Sequence, residues 1–236
     1  MKLPKMDSNL EVLQETIGIQ FANQTLLRNV FVHRSYLNEH RTFELPSNEK
    51  FEFLGDSVLS LATSIYLYHN YPDLGEGDYT DIKASIVRTE SLAEAAAHLK
   101  LGEYLLLSHG EEKGGGRTKI NILADAFEAL IAAIFIDQGF DTAFSFIEKN
   151  LFKDKLDHIV KNKLYLSPKS HLQEITQAQF KNLPNYEIVE SSGPEHKKSF
   201  TVAVFVNNNK LAEATGKSKK QAEEHAAQIA LEKLLK

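Results

Sequence analysis

Residues 122–136 read ILADAFEALIAAIFI, and the charged side chains among them are Asp125 and Glu128 alone. A helix apolar on nearly every side must be wrapped by the rest of the chain, so this run fixes the centre of whatever fold forms. At a spacing of i, i+3 the two acids share one face. Ionised carboxylates in such surroundings are costly unless a cation or hydrogen-bond donors compensate them. A positive partner is therefore expected opposite them, either a Lys or Arg in a structural ion pair or a metal ion.

A second acidic stripe lies in residues 48–59, NEKFEFLGDSVL, where Glu49, Glu52 and Asp56 fall at i, i+3, i+7. In a helix their faces nearly coincide. Phe51, Leu54, Val58, Leu61 and Ile65 are expected on the opposite, buried side, with Phe53 and Leu59 flanking the acids. By itself such a stripe is more often a polar face than a site. Paired with Asp125 and Glu128, and with no cysteine in the chain, it offers an all-oxygen ligand set that suits magnesium or manganese rather than zinc.

At 236 residues with 42% hydrophobic content the chain has ample material for one large domain or two. The opening MKLPKMDSNLEVL carries no signal-like apolar stretch, and no apolar run approaches the roughly 20 residues that span a bilayer. A soluble protein of the cytoplasm, with no membrane partner and no disulfides, is expected. The net charge of −5 is unevenly spread. Residues 167–236 hold ten lysines, no arginine and eight acids, a balance of +2, against 17 basic and 24 acidic side chains, a balance of −7, in residues 1–166. The smaller part, with clusters at Lys197 and Lys198 and at Lys217, Lys219 and Lys220, suits an anionic partner.

Up to residue 155 the periodicity is helical, with helices expected over 11–17, 23–30, 50–68, 78–88, 91–99, 121–138 and 141–150. Pro72, Gly75 and Gly77 end one helix, Asp78 resembles a cap for the next, and Gly102 closes another. Gly114, Gly115 and Gly116 read as a mobile loop. They lack the order of a Walker phosphate loop, although Arg117 and Lys119 leave room for phosphate contact. Residues 154–166 read as a charged connector. Beyond it, a helix over 170–181, three alternating strands over 185–191, 197–207 and 210–215, and a helix over 218–235 give the order α-β-β-β-α, an antiparallel sheet with both helices on one face.

The stretch NEKFEFLGDSVL closely resembles the NERLEFLGDSVL signature of bacterial ribonuclease III. The HRS at His33, Arg34 and Ser35, the run GEGDYTDIKASIVR from Gly75 and the block GGRTKINILADAFEALIAAIFID from Gly115 fit the same family. HLQE from His171, GPEHKKSF from Gly193 and GKSKKQAEEHAA from Gly216 resemble a double-stranded RNA-binding domain. The resemblance covers almost the whole chain. It implies an all-α endonuclease domain over 1–155, a linker over 156–166 and a small α+β RNA-binding domain over 167–236.

It also implies an enzyme that hydrolyses double-stranded RNA as a homodimer, using Mg2+ with Mn2+ as substitute and no organic cofactor. The products would carry 5′-phosphate and 3′-hydroxyl ends with short 3′ overhangs, and the targets would be ribosomal RNA precursors and some messenger RNAs. The implied metal ligands are Glu52, Asp56, Asp125 and Glu128, with Asp56 and Glu128 catalytic and Glu49 and Glu76 as supporting acids. The implied RNA contacts are Gln173, Glu174, His196, Lys217, Lys219 and Lys220.

No serine or cysteine nucleophile has a base arranged by motif. His33 is expected to be structural rather than a general base. Gly55, costing roughly 1 kcal/mol in a helix relative to Ala, signals a close backbone approach. That approach is expected across the dimer twofold with Phe51, Phe53 and Leu54, or else within one subunit. Two departures stand out from the RNA-binding pattern: Ala214 in place of a glycine, and Glu223 in place of the third cation of KKxAK. Each could weaken binding modestly, although Glu at the last position is common in the bacterial enzymes the chain resembles and does not imply loss of function. A non-catalytic RNA-binding relative would have lost carboxylates, and here every matched acidic position is filled. A phosphohydrolase of small nucleotides would leave the basic domain idle.

Overall fold

The long apolar segment becomes α8 (Ile120–Gln138), buried from Ile122 to Ile134 except where Asp125 and Glu128 reach the surface of the packing. The computed structural model describes residues 4–153, 155–194 and 198–235. The chain divides into two units, Met1–His158 and Ile159–Lys236.

In the first unit α8 packs along α4 (Glu49–Asn70) and α6 (Thr89–His98), with α2 (Gln24–Val30) and α9 (Phe140–Ile147) also against it. The first unit also holds α1 (Pro4–Ile17), α3 (Arg34–Glu39), α5 (Glu76–Ile86) and α7 (His109–Lys113). Helix α9 continues into a π-helical turn over Glu148–Phe152. Asp137, at the end of α8, accepts the N–H groups of Ala22 and Asn23 at 2.8 and 2.9 Å, which fixes the start of α2.

The buried face of α4 is not the one its sequence suggests. Gly55, Val58, Leu59, Ala62, Thr63 and Leu67 are buried, whereas Leu61 is exposed and Phe51, Leu54 and Ile65 are half-buried. Gly55 lets α8 approach closely, and the contact between α4 and α8 outweighs the bulkier apolar stripe. Three other expectations are corrected. Asp78 is not the cap of α5 but its third residue, whose carboxylate accepts the Gly75 N–H at 3.2 Å. Gly102 lies in a 3-10 turn, Leu101–Tyr104, and Lys100 takes the left-handed conformation after α6. The glycine run is open only in part: Gly114 and Gly115 are exposed, whereas Gly116 is buried at the start of a second 3-10 turn, Gly116–Thr118, that follows α7.

The connector is partly helical as well. Helix α10 (Lys155–Lys161) buries Leu156, pairs Lys155 with Glu94, and brings Asp157 to accept the Tyr71 hydroxyl at 2.5 Å. The short helices α3, α7 and α10 offer too few turns for periodicity to register in the sequence.

In the second unit α11 (Pro168–Phe180), β1 (Asn185–Ser192), β2 (Ser199–Val206), β3 (Asn209–Gly216) and α12 (Lys219–Leu234) form the α-β-β-β-α order. The sheet is antiparallel in the order β1-β2-β3. Leu172 of α11, Val204 and Ala212 of the strands, and Ala226, Ala227, Ala230 and Leu231 of α12 share one core, so both helices cover the same face. Among the described residues no helix is long and apolar enough to cross a membrane.

Candidate active site

Helices α4 and α8 cross where Gly55 meets the backbone of Glu128. A Cβ on Gly55 would stand 1.9 Å from the Glu128 carbonyl oxygen, so only glycine permits this approach. The close contact inferred from Gly55 is thus within one subunit and not across a twofold axis. Its effect is to bring the acids of the two helices together. Carboxylate oxygens of Glu52, Asp125 and Glu128 lie within 4.8 Å of one another, each on a half-buried residue. Asp56, one turn beyond Glu52, is exposed and its oxygens are outside that set. Its charge nevertheless reaches Glu128.

The electrostatics are those of a cluster that Arg34 compensates only in part. Burial pushes Glu128 up to about 8, with Asp56, Glu52 and Asp125 adding to the rise in that order. Glu52 is raised by burial first and then by Asp125 and Glu49. Burial also raises Asp125, partly opposed by the nearby charge of Arg34. Among the described residues no Lys or Arg forms an ion pair with Asp125 or Glu128. The structural salt bridge that could have explained them is therefore absent there. Arg34 instead lies 3.6 Å from Glu49, and both are exposed. Three close carboxylates with raised proton affinity, which Arg34 offsets only in part and from a distance, are a fitting receptor for a divalent ion.

Glu52 and Asp125 face a cleft of about 760 Å³ whose walls include His33, Arg34, Asn38, Glu49, Glu111 and Lys119. Glu49 is further held by the Ser47 hydroxyl at 2.6 Å. Glu76 opens α5, is exposed, and is not among the cleft-lining residues. His33 is occupied structurally. Its Nδ1 lies 2.7 Å from Ser35 Oγ and accepts the Ser35 N–H at 3.2 Å, capping α3, while Ser35 Oγ accepts the Ser108 N–H at 3.1 Å. Burial lowers its proton affinity.

Arg117 is not among the residues that line the cleft. It forks onto Glu112 at 2.5 and 2.8 Å and donates to the carbonyls of Gly102 and Glu103. Lys119, paired with Glu111 at 2.5 Å, does line the cleft. Arg34 is the cation that spacing could not find, because only the docking of α3 brings it beside the acids.

In the second unit Gln173 and Glu174 are exposed on α11, and Glu174 pairs with Lys163. Lys217, Lys219 and Lys220 are exposed around the start of α12. Ser218 caps that helix by accepting the Gln221 N–H at 3.2 Å, and Gln221 returns the contact by accepting the Lys217 N–H at 2.8 Å. Gly216 allows the turn, since a Cβ there would lie 2.5 Å from the Ala222 nitrogen. His196 and the neighbouring Lys197 lie outside the described residues.

The ribonuclease-III-like family model matches residues 23–155, and the double-stranded RNA binding motif matches residues 168–234. The chain belongs to the ribonuclease III family. Ribonuclease 3 of Listeria monocytogenes is 44% identical over 228 residues, covering 95% of this chain and 97% of the relative. That of Chloroflexus aurantiacus is 44% identical over 228 residues, covering 96% and 92%. Among solved structures, the nuclease domain of ribonuclease III from Campylobacter jejuni is 38% identical with a TM-score of 0.55, covering 60% of this chain and 95% of that one. As a ribonuclease III the chain is a double-stranded RNA endonuclease, a hydrolase, of a metal-dependent family. The helical nuclease architecture and the α-β-β-β-α RNA-binding unit accord with the sequence expectation.

Proposed function

We propose that this ribonuclease III hydrolyses RNA duplexes at a divalent-metal centre held by Glu52, Asp125 and Glu128, with Asp56 turning in as a further ligand. The observation that carries this reading is the convergence of three half-buried carboxylates within 4.8 Å, with no lysine or arginine paired to Asp125 or Glu128 among the described residues. The oxygen-only donors favour Mg2+, with Mn2+ able to replace it. When bound, such ions lower the pKa of a water and offset charge on the phosphate oxygens. Asp56 and Glu128 are the catalytic acids of this set. Glu49 supports it by holding Arg34 at the cleft wall, whereas a supporting role for Glu76, which lies outside the cleft lining, rests on the family resemblance alone. Arg34 and Lys119 are placed to meet strand phosphates entering the cleft.

The second unit supplies shape recognition. Gln173 and Glu174 face minor grooves and Lys217, Lys219 and Lys220 the intervening phosphates, with the α12 N-terminus adding its own attraction for anions, and His196 is assigned to RNA contact by the family resemblance alone. Residues 1–155 form the nuclease domain and 167–236 the RNA-binding domain, joined through 156–166. A homodimer is supported by an exposed apolar stripe on α4, where Phe53, Leu61 and Tyr68 are 78, 53 and 69% exposed. Two sites facing each other across a minor groove would leave short 3′ overhangs. Ribosomal RNA precursors and some messenger RNAs are the substrates, in the cytoplasm, and no organic cofactor takes part.

Analysis of the product ends tests the chemistry. Hydrolysis by a metal-activated water gives 5′-phosphate and 3′-hydroxyl ends. A 2′,3′-cyclic phosphate would show instead that the substrate's own 2′-hydroxyl attacks, and would overturn the reading.

A further inference from the structure

Glu223 stands where the KKxAK pattern has its third cation, and it turns inward, with its side chain only 12% exposed. One carboxylate oxygen accepts from Lys169 Nζ at 2.5 Å, and the other lies 3.9 Å from Lys219 Nζ. Lys169 is the second residue of α11, and its ammonium also sits 4.7 Å from the centre of the Tyr186 ring on β1. Tyr186 packs against the domain core, and its hydroxyl is buried without a hydrogen-bond partner among the described residues. A single carboxylate therefore gathers α11, β1 and α12 at one point.

The enclosure of this group decides how it acts. An exposed ion pair contributes little, but one so enclosed leaves an uncompensated charge when either partner is removed. A lysine at 223 would bring a third ammonium beside those of Lys169 and Lys219. Gln173 lies one helical turn beyond Lys169 on the same side of α11. The position of Lys169 therefore sets where that helix face stands relative to Lys219 and Lys220.

We propose that Glu223 is a positioning residue for duplex RNA: by holding Lys169 and Lys219 it fixes the RNA-facing side of α11 against the lysines of α12. This rests on the reading of Gln173 and the α12 lysines as RNA contacts. The sign of the effect is diagnostic. If charge alone mattered, neutralising an acid on a phosphate-binding surface would strengthen binding. For a positioning acid, neutralising it weakens binding.

The test is binding of a labelled RNA duplex by the full-length chain in chelator, where nothing is cut, across a salt series. Glu223→Gln is expected to raise Kd about five-fold or more while leaving the slope of log Kd on log salt unchanged, because no phosphate contact is lost. Lys169→Met is expected to weaken binding similarly, and the double variant to lose no more than either single. With magnesium, KM is expected to rise while kcat at saturating duplex holds.

Binding by Glu223→Gln that equals or exceeds wild type would overturn the proposal, as would additive losses in the double variant. If Glu223→Gln does not fold, wild-type affinity in Lys169→Met overturns it. A Lys219→Ala, Lys220→Ala chain that binds normally would remove the underlying RNA-contact reading, and the proposal with it, a failure distinct from the others.

Discussion

Glu128 holds its proton more tightly in the fold than in the unfolded chain, at about 8 against an ordinary 4.5. The stability linked to that proton is complete below 4.5 and is lost as pH rises through about 8. Metal-free protein is therefore expected to melt at lower temperature at pH 8.5 than at pH 5.5. Glu128→Gln should flatten the trend without abolishing it, since Glu52 and Asp125 are raised as well. Magnesium affinity should move the opposite way, rising with pH as the ion displaces protons, which calorimetry in two buffers would register as proton release. Gly55→Ala is expected to cost about 2 kcal/mol or more in urea unfolding and to lower cleavage, because the added methyl displaces Glu128 from Glu52. Asp125 and Glu128 were legible in the sequence because they are the only charges in an apolar run. The partner of Gly55 was not, since a helical glycine announces a close approach without naming what approaches.

Among the elements, long helices with caps and glycine or proline breaks could be read directly, and the strands of the second unit likewise from their alternation. The face that α4 buries could not, because it is set by the close approach of α8 at Gly55 rather than by the bulkiest apolar side chains. The segment from α7 to α8 shows the same limit. Its glycines suggest an open loop, yet Arg117 pins it to Glu112 and to two carbonyls. Arg117→Ala is expected to lower the urea unfolding free energy by ~2 kcal/mol. Arg117→Lys should not restore it, because an ammonium cannot make the forked contact. Lys119→Ala, at an exposed pair, should leave stability nearly unchanged and raise KM for duplex RNA.

For the whole molecule, the division of charge between residues 1–166 and 167–236 follows the division of labour, with an acidic cleft in one unit and exposed lysines in the other. Duplex affinity should fall steeply with salt, as contacts to phosphates require. If the α4 stripe is the subunit contact, Phe53→Asp should sediment as a monomer and lose paired cleavage of the two strands. Cleavage of a uniformly labelled RNA duplex with magnesium, run for wild type and Glu128→Gln beside a matching single strand and DNA duplex, tests the metal-carboxylate centre most directly. Short duplex products are expected from wild type alone and from RNA duplex alone. Wild type that binds the duplex but leaves it intact with every divalent ion tried, or Glu128→Gln that cuts at the wild-type rate, would contradict the assignment of that centre.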